Sequence, residues 1–363
     1  MITVRPSILC RVSGVLFAAA LAIVIAVPEM AEAAGASRSS RTRTASSSTS
    51  KLTLAKVRAS GARTASTGRT RRAAVAARTL REAQEPHFKF DESGALVPDI
   101  RAEAAIIYNP RTGDVLWEQN SNAERSIASI TKVMTAAVVL ESPDDLATPV
   151  TISRADVLRA NTTYIRAGDR VTKDDLLHLM LIGSDNAAAR VLAKTSPLGY
   201  DGFINRMNEK AREYGLKSTT YVDPAGIFAA NVSNAYDMAK LITIASDNER
   251  MSSIMRTAAY SVDGGRRTIT VNSTNQLVKA GDVDVQAGKT GFISRAGYCL
   301  ATLLRMPQGG EEVAVVVLGA RSNAGRFWET RHLLNWFSTK AEDLLGGRLE
   351  AAAPPPATGP SAQ

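Results

Sequence analysis

The chain carries the sequence Ile-Ala-Ser-Ile-Thr-Lys-Val-Met-Thr at residues 127–135. The apolar residues recur at helical spacing, so the stretch predicts a buried helix from Ser126 to about Glu141. Ser129 and Lys132 are three residues apart, which places both side chains on the same face of that helix. A serine beside a lysine supplies a nucleophile and a base, provided that burial lowers the pKa of the amine. The stretch therefore predicts a helical core with an active-site serine.

Two further motifs follow along the chain, Ser184-Asp185-Asn186 and Lys289-Thr290-Gly291. With the serine–lysine pair they make the ordered set S-x-x-K, S-D-N, K-T-G of penicillin-binding proteins and β-lactamases. Second copies of two motifs exist, but the S-x-x-K at 48–51 lies in a Ser/Arg-rich segment and the S-D-N at 246–248 precedes charged residues. Ser184 instead joins two apolar helical stretches, so context selects one set that can form a packed site.

The first two motifs contain the groups that nucleophilic catalysis needs. A serine hydroxyl is a poor nucleophile until a base removes its proton. Lys132 is the predicted base for Ser129, with its pKa lowered by burial and by a second cation, Lys289. We expect Ser184 to pass a proton to the leaving amine, and Asn186 to hydrogen-bond Lys132 and the substrate amide.

The third motif is predicted to lie on an edge strand, where a peptide substrate can be added as a further strand. Lys289 and Thr290 offer a cation and a hydroxyl group to a substrate carboxylate. Gly291 has no side chain that would obstruct the substrate. The backbone N–H groups of Ser129 and Phe292 are the expected oxyanion hole, where the loss of one donor typically costs roughly 10²–10³ in rate.

The order of strands and helices predicts the fold class. Strand-like segments lie at both ends of the folded region, whereas helical periodicity dominates from Asp156 to about Asn248. We expect an α/β domain whose antiparallel sheet is built from both chain ends, with a helical subdomain inserted between them. The predicted strands are 102–108, 114–118, 286–293, 297–305 and 312–318, and a helix over 327–345 is predicted to end at Gly346-Gly347.

Both chain ends differ in composition from this domain, which we predict to span residues 86–348. Residues 1–33 combine two arginines, an apolar run and the A-x-A site Ala31-Glu32-Ala33. This pattern predicts a secretory signal cleaved after Ala33, with retention as a membrane anchor as the alternative. The protein is therefore expected in the periplasm or cell envelope. The Ala/Pro-rich residues 349–363 are predicted to form a disordered tail.

Residues 34–85 are predicted to form a basic, disordered arm. Twelve Lys/Arg and no Asp/Glu lie from Arg38 to Arg81, so this arm accounts for the positive net charge of the whole chain, which is +9. The arm has too few apolar residues to offset the entropy lost on ordering. We expect a linker that can also adhere to an anionic envelope surface. Nucleic acid fits the charge of the arm but not the export signal, so it is not an expected partner.

Histidine and cysteine usage argues against a metal-dependent hydrolase. The three histidines are scattered, and no Cys/His pair has the spacing of a zinc site. Cys299 is the one cysteine that remains after cleavage of the signal, and it cannot form an internal disulfide. The fold must therefore be stabilised by its core.

From about Ala102 to Leu345 the chain resembles the D-alanyl-D-alanine carboxypeptidase/endopeptidase family of low-molecular-mass penicillin-binding proteins. Besides the three motifs, the resemblance includes Asp223-Pro-Ala-Gly226, Asn231-Val-Ser-Asn-Ala235, Asn272-Ser-Thr-Asn275 and Ala287-Gly-Lys-Thr-Gly-Phe292. It implies a β-lactamase/transpeptidase-like fold, an acyl-enzyme on Ser129, peptidoglycan as substrate and β-lactams as inhibitors. It implies no metal and no organic cofactor.

Within that family the chain resembles the short endopeptidase branch, through residues 296–300 and the short stretch that follows Lys289. The sequence leaves open whether terminal D-alanine or a cross-link is cut. Asp185 departs from the Gly or Glu that is common in the family, which affects the expected substrate preference and not the reaction class.

Two other functions remain open from the sequence. A class A-like β-lactamase needs a deacylating glutamate in an E-x-x-L-N setting, and the nearest match, Glu213-Tyr-Gly-Leu-Lys217, lacks the asparagine. A catalytically silent wall-binding protein would use the basic arm and the cleft, but it does not account for the intact Ser129 and Lys132.

Overall fold

The structure, a computed structural model, describes residues 84–142, 146–307 and 310–352, together with residues 74, 75, 77, 78 and 81. All of these residues belong to one structural unit, Ser66–Gln363. The predicted signal segment, most of the basic arm and residues 353–363 lie outside the described residues. Among the described residues, no helix combines the length and the apolar character needed to cross a membrane.

The strands lie mostly near the two ends of the described chain. In chain order they are β1 Phe88–Phe90, β2 Leu96–Pro98, β3 Ala104–Tyr108, β4 Val115–Gln119, β5 Arg125–Ser126, β6 Pro149–Thr151, β7 Arg170–Thr172, β8 Val232–Ser233, β9 Ala259–Asp263, β10 Thr268–Asn272, β11 Asp284–Ile293, β12 Gly297–Arg305 and β13 Glu312–Ala320.

The central element is a five-stranded antiparallel sheet in the order β11-β12-β13-β3-β4. The first predicted strands of the chain and the last ones meet in it, because Ala105 of β3 pairs with Val317 of β13. The middle strands are apolar along nearly their whole length and are buried, as expected when both faces of a sheet are covered. β11, which carries the K-T-G motif, is an edge strand of this sheet, as predicted.

The helices occupy mainly the middle of the chain. They are α1 Thr131–Val139, α2 Arg154–Val157, α3 Lys173–Gly183, α4 Asn186–Lys194, α5 Gly199–Glu213, α6 Ala235–Asp247, α7 Glu249–Met255, α8 Gln276–Ala280 and α9 Asn323–Ala352. Side chains that accept a backbone hydrogen bond fix several starts. Thr172 and Asp175 form a reciprocal cap at α3, and Asn248 of the second S-D-N motif caps α7.

Two apolar cores cover the two faces of the sheet. The larger core joins the sheet to α1, α3, α4, α5 and α6, and its buried side chains include Ile106, Val133 and Leu179. The smaller core lies on the opposite face, where Phe327 and Leu333 of α9 pack on the sheet. The predicted fold class, an antiparallel sheet from both chain ends with helices inserted between them, is confirmed.

Two local predictions were wrong. The C-terminal helix starts earlier than expected and continues past Gly346-Gly347 to Ala352. Each helical glycine costs about 1 kcal/mol relative to alanine, which is too little to end a helix by itself. Two small hairpins between α1 and β11, β6–β7 and β9–β10, were not predicted. The strands β6 and β7 have only three residues each, whereas the alternating sequence of β10 is a strand pattern that was overlooked.

Candidate active site

Ser129 lies in a tight turn that precedes α1. Residues Ala128–Ile130 form one turn of 3₁₀ helix, and Ala128 has a φ of +48°, a left-handed conformation that is unfavourable for a residue with a side chain. The turn is held from both sides, since Ile127 and Ile130 are buried and the Ile127 N–H donates to the Asn231 carbonyl. The surrounding packing therefore maintains a strained turn that presents a half-buried serine to the cleft.

The amine of Lys132 is completely buried beside that serine. Its Nζ lies 2.9 Å from Ser129 Oγ, 2.7 Å from Asn186 Oδ1 and 2.5 Å from the carbonyl oxygen of Ala225. A neutral amine has two N–H donors and one lone pair. The amide oxygen and the carbonyl oxygen accept from the two donors, so the lone pair is left for the Ser129 hydroxyl.

Burial lowers the pKa of Lys132 to about 7, while the carboxylates of Asp223 and Asp185 act in the opposite direction. An amine with this pKa is available as a base near neutral pH. Burial, and not the predicted effect of Lys289, is the cause of this shift. The charge of Lys132 instead helps burial to lower the pKa of Lys289.

The S-D-N motif forms the opposite wall of the cleft. Ser184 ends α3 with a φ of +61°, and its Oγ accepts a 3.0 Å hydrogen bond from Lys289 Nζ. Asn186 begins α4, where its Nδ2 donates to the Ala160 carbonyl while its Oδ1 accepts from Lys132. One N–H of the Asn186 amide therefore remains for a substrate.

Asp185, between these two residues, is bonded to a neighbouring loop and not to Ser129 or Lys132. Its buried carboxylate accepts hydrogen bonds from the Thr163 hydroxyl, the Tyr164 N–H and the Ala188 N–H. It therefore caps α4 and ties the segment that contains Thr163 and Tyr164 to the cleft wall. A Gly at this position could not make these bonds, so the departure from the family pattern acts on a neighbouring loop.

The K-T-G strand β11 closes the third side of the cleft. Lys289 is buried, and its Nζ also donates to the Thr290 carbonyl. Thr290 Oγ1 lies 2.7 Å from Thr274 Oγ1, and Thr274 is itself bonded through its N–H to the Ile182 carbonyl. Hydroxyl groups from two segments are thus held together at the end of the cleft that contains Ser184.

Gly291 is needed for a different reason from the one predicted. A Cβ atom at this position would lie 2.6 Å from the Ile127 carbonyl oxygen and 3.3 Å from the Ser129 nitrogen. The glycine therefore lets β11 approach the serine turn, rather than merely leaving space for a substrate. This close approach brings the backbone of the K-T-G strand next to that of the nucleophile.

Phe292 follows at the rim of the cleft, with a side chain 49% exposed and stacked on Tyr298. The buried Arg326 of α9 donates to the Gly291 carbonyl at 2.9 Å. Because the C=O and N–H of a trans peptide point in opposite directions, this bond turns the Phe292 N–H away from α9. Arg326 therefore fixes the orientation of the Phe292 N–H, one of the two donors of the candidate oxyanion hole.

Residues 223–231, the Asp223 loop, support the site in a way that was not predicted from the sequence. The Asp223 carboxylate accepts from the N–H groups of Ala225, Gly226 and Phe228 and from the Asn231 amide. It thereby fixes the Ala225 carbonyl that accepts from Lys132. The Asp-Pro-Ala-Gly pattern was visible in the sequence, but its contact with Lys132 is long-range and no local signal reveals it.

Glu213, which the β-lactamase alternative would require, is half-exposed at the end of α5. Its carboxylate is bonded to Arg206, next to Glu141, and none of its hydrogen bonds among the described residues reaches Ser129 or Lys132. It is therefore a member of a surface ion-pair network and not a base for a bound water.

Comparison with known proteins agrees with this geometry. Residues 91–322 match the family described as D-alanyl-D-alanine carboxypeptidase. The D-alanyl-D-alanine endopeptidases of Pseudomonas aeruginosa and Escherichia coli are 34% and 33% identical, and each alignment covers 67% of this chain and 79% of the relative. The DD-transpeptidase of Streptomyces K15 superposes with a TM-score of 0.61 at 30% identity, covering 66% of this chain and 97% of that one.

Fold and site together define a serine-type peptidase with a penicillin-binding fold. The chain belongs to the D-alanyl-D-alanine carboxypeptidase family. The predictions of family, fold and enzyme class are therefore confirmed, and neither the β-lactamase nor the silent wall-binding protein is favoured.

The close contact between the Asp223 loop and the serine turn gives a test. Gly226 has a φ of +73°, and a Cβ there would run into the Ala128 carbonyl. Gly281 has a φ of +66° but has no atom within 4 Å of such a Cβ. Gly281→Ala should cost about 1–2 kcal/mol of backbone strain. Gly226→Ala should cost about 1–3 kcal/mol more, because it also overpacks the turn.

Urea unfolding of both variants measures the difference, and labelling by a fluorescent penicillin reports the state of the serine turn. We expect Gly226→Ala to label slowly and Gly281→Ala to label like the wild type. Equal stability and equal labelling of the two variants would contradict the proposed support of Ser129 by the Asp223 loop.

Proposed function

We propose that the chain hydrolyses D-alanyl peptide bonds of peptidoglycan through an acyl-enzyme on Ser129, with Lys132 as the base. The observation that carries this proposal is the buried amine of Lys132, whose pKa is about 7 and whose Nζ lies 2.9 Å from Ser129 Oγ. Such an amine can accept the serine proton at neutral pH without a histidine.

In the acylation step, Lys132 takes the proton of Ser129 as Oγ attacks the carbonyl carbon of the penultimate D-alanine. The negative charge on the carbonyl oxygen is stabilised by the N–H groups of Ser129 and Phe292. The C–N bond then breaks as Ser184 passes a proton to the leaving amine and takes up the proton that Lys132 holds, so that Lys132 is neutral again. Its hydrogen bond with Lys289 keeps Ser184 oriented for that transfer.

In the deacylation step, the neutral Lys132 removes a proton from a water molecule that attacks the ester. The bond between the acyl carbon and Ser129 Oγ then breaks, and Lys132 returns the proton to Oγ. When the substrate first binds, Thr290 and Lys289 hold the carboxylate of the residue on the leaving side of the scissile bond. The free amide N–H of Asn186 binds the acyl side. The substrate chain runs beside β11, which is an edge of the sheet and can pair with it.

Cross-links are the substrate that we propose, in addition to terminal D-alanine. The two relatives compared above carry the name D-alanyl-D-alanine endopeptidase, and the alignment covers most of their length. An endopeptidase needs the same acylation chemistry as a carboxypeptidase but must also admit a large leaving peptide.

Replacing the nucleophile tests the acyl-enzyme directly. Ser129→Ala should unfold like the wild type, because the side chain is half-buried and makes few contacts, yet it should form no covalent adduct with penicillin. Intact-protein mass spectrometry after a penicillin pulse measures this. The wild type should hold its adduct for minutes or more, since Glu213, the candidate for deacylation, is bonded to Arg206 at the surface. An adduct on Ser129→Ala, or one on the wild type that turns over within a second, would contradict the assignment.

The pKa of Lys132 gives a second prediction. Protonation of the amine removes the base, so kcat/KM for a D-Ala-D-Ala peptide should fall about tenfold for each pH unit below 7 and level off above it. The lowered pKa arises from burial, so the position of this limb should depend little on salt. Activity that is unchanged from pH 8 down to pH 5 would rule out Lys132 as the base.

We also propose that residues 1–33 export the protein to the periplasm or cell envelope and that residues 34–85 tether a peptidase domain at 86–348 to an anionic surface. The support is compositional: twelve positive charges without a negative one between Arg38 and Arg81. Such a segment attracts anionic polymers at low ionic strength and releases them at high salt.

Truncation separates the tether from the site. A chain that begins at Glu85 should keep its kcat and KM on soluble muropeptides, because every side chain of the site lies beyond that residue. It should lose salt-sensitive binding to anionic envelope material in a pelleting assay. A drop in activity on soluble muropeptides would make the arm a part of the site.

A further inference from the structure

A cavity of about 520 Å³ lies between the segment that follows α2 and the β9–β10 hairpin. This is within the size range of sites that hold small organic ligands. Its lining includes Thr163, Tyr164, Arg166, Arg267, Ile269 and Thr270.

Both walls are attached to the segment that carries Ser184. Thr163 and Tyr164 are hydrogen-bonded to Asp185, which follows Ser184 in the chain. Val271 follows the cavity residue Thr270. Its side chain and the Tyr164 ring both pack against Gly183, in the space that a Cβ atom of residue 183 would need. The cavity therefore adjoins the cleft at the Ser184 end.

This end of the cleft is the leaving-group side of the proposed reaction. Ser184 would protonate the leaving amine there, and Thr290, bonded to Thr274 at the end of the hairpin, would bind the carboxylate of the leaving residue. A leaving group larger than one D-alanine must extend beyond these groups. The cavity is the space that adjoins the cleft at this end.

The cavity wall is positively charged. It contains two arginines and no acidic residue. Arg267 is bonded to the buried Asp169 and to the Tyr164 carbonyl, and its buried Nε has no hydrogen-bond partner. Asp169 also accepts from the backbone N–H of Arg166. The Arg166 guanidinium has no acidic partner among the described residues and is exposed, so it is available to an anionic ligand.

We propose that this cavity binds the peptide released from a cross-link, and that Arg166 pairs with a carboxylate of that acidic acceptor stem peptide. This inference rests on the proposed function, since it requires attack by Ser129. It makes Arg166 a specificity-determining residue: it contributes to the cleavage of cross-links and contributes nothing when the leaving group is a single D-alanine. Arg267 shapes the wall through its bond to Asp169.

The test compares Arg166→Gln with Arg212→Gln, a control that removes the same charge from an exposed position on α5. Each full-length variant is assayed on a cross-linked muropeptide dimer, on an uncross-linked pentapeptide, and on a dimer in which the acceptor-stem carboxylates are amidated, except that of the leaving residue, which Thr290 and Lys289 bind. For Arg166→Gln, kcat/KM on the dimer should fall about tenfold, as expected for a charged hydrogen bond. The pentapeptide rate, the penicillin labelling and the rates of Arg212→Gln should stay unchanged.

The amidated dimer identifies the carboxylate. The wild type should cleave it about as slowly as Arg166→Gln does, and the variant should lose nothing further. An equal loss on dimer and pentapeptide, or no loss on the dimer, would overturn the role of Arg166. Failure of the proposed function is distinct from this, because the wild type would then hydrolyse neither substrate.

Discussion

The site depends on the buried amine of Lys132, which forms no salt bridge with any residue that the structure describes. Transferring a charged lysine from water to an apolar interior is so unfavourable that the group gives up its proton instead. The neutral form of Lys132 is stable because Asn186 and Ala225 provide oxygen acceptors for both of its N–H groups. Those acceptors come from α4 and from the Asp223 loop. The need to satisfy this amine therefore links the helical subdomain to the loop that supports the serine turn.

The same region stores backbone strain on both sides of the nucleophile. Ala128 and Ser184 both adopt left-handed conformations, which cost residues with side chains about 1–2 kcal/mol each. Glycines at 226 and 291 let the Asp223 loop and β11 approach the turn more closely than any other residue would. The large apolar core and the hydrogen-bonded Asp223 carboxylate compensate for this cost. Strain of this kind holds Ser129 in place before any substrate arrives.

Much of this architecture could be predicted from the sequence because the relevant signals are local. The spacing of Ser129 and Lys132, the apolar periodicity of α1 and the continuous apolar strands β12 and β13 are each contained in one segment. The support of Lys132 by Ala225, the contact of Gly291 with the serine turn and the cavity wall at Arg166 could not be predicted. They depend on which distant segments meet: the alternating sequence of β10 indicates a strand but not its position beside the segment that follows α2.

The pairing of β3 with β13 has a consequence for how the chain folds. Strands that lie some two hundred residues apart are neighbours in the sheet, so the contact order of the domain is high and the entropy of loop closure opposes early pairing. During synthesis β3 emerges first and has no partner on that side until nearly the whole domain has left the ribosome. The lysine of the K-T-G strand also appears long after the serine. Catalytic competence is therefore acquired only at the end of translation, and a nascent chain cannot hydrolyse a wall peptide.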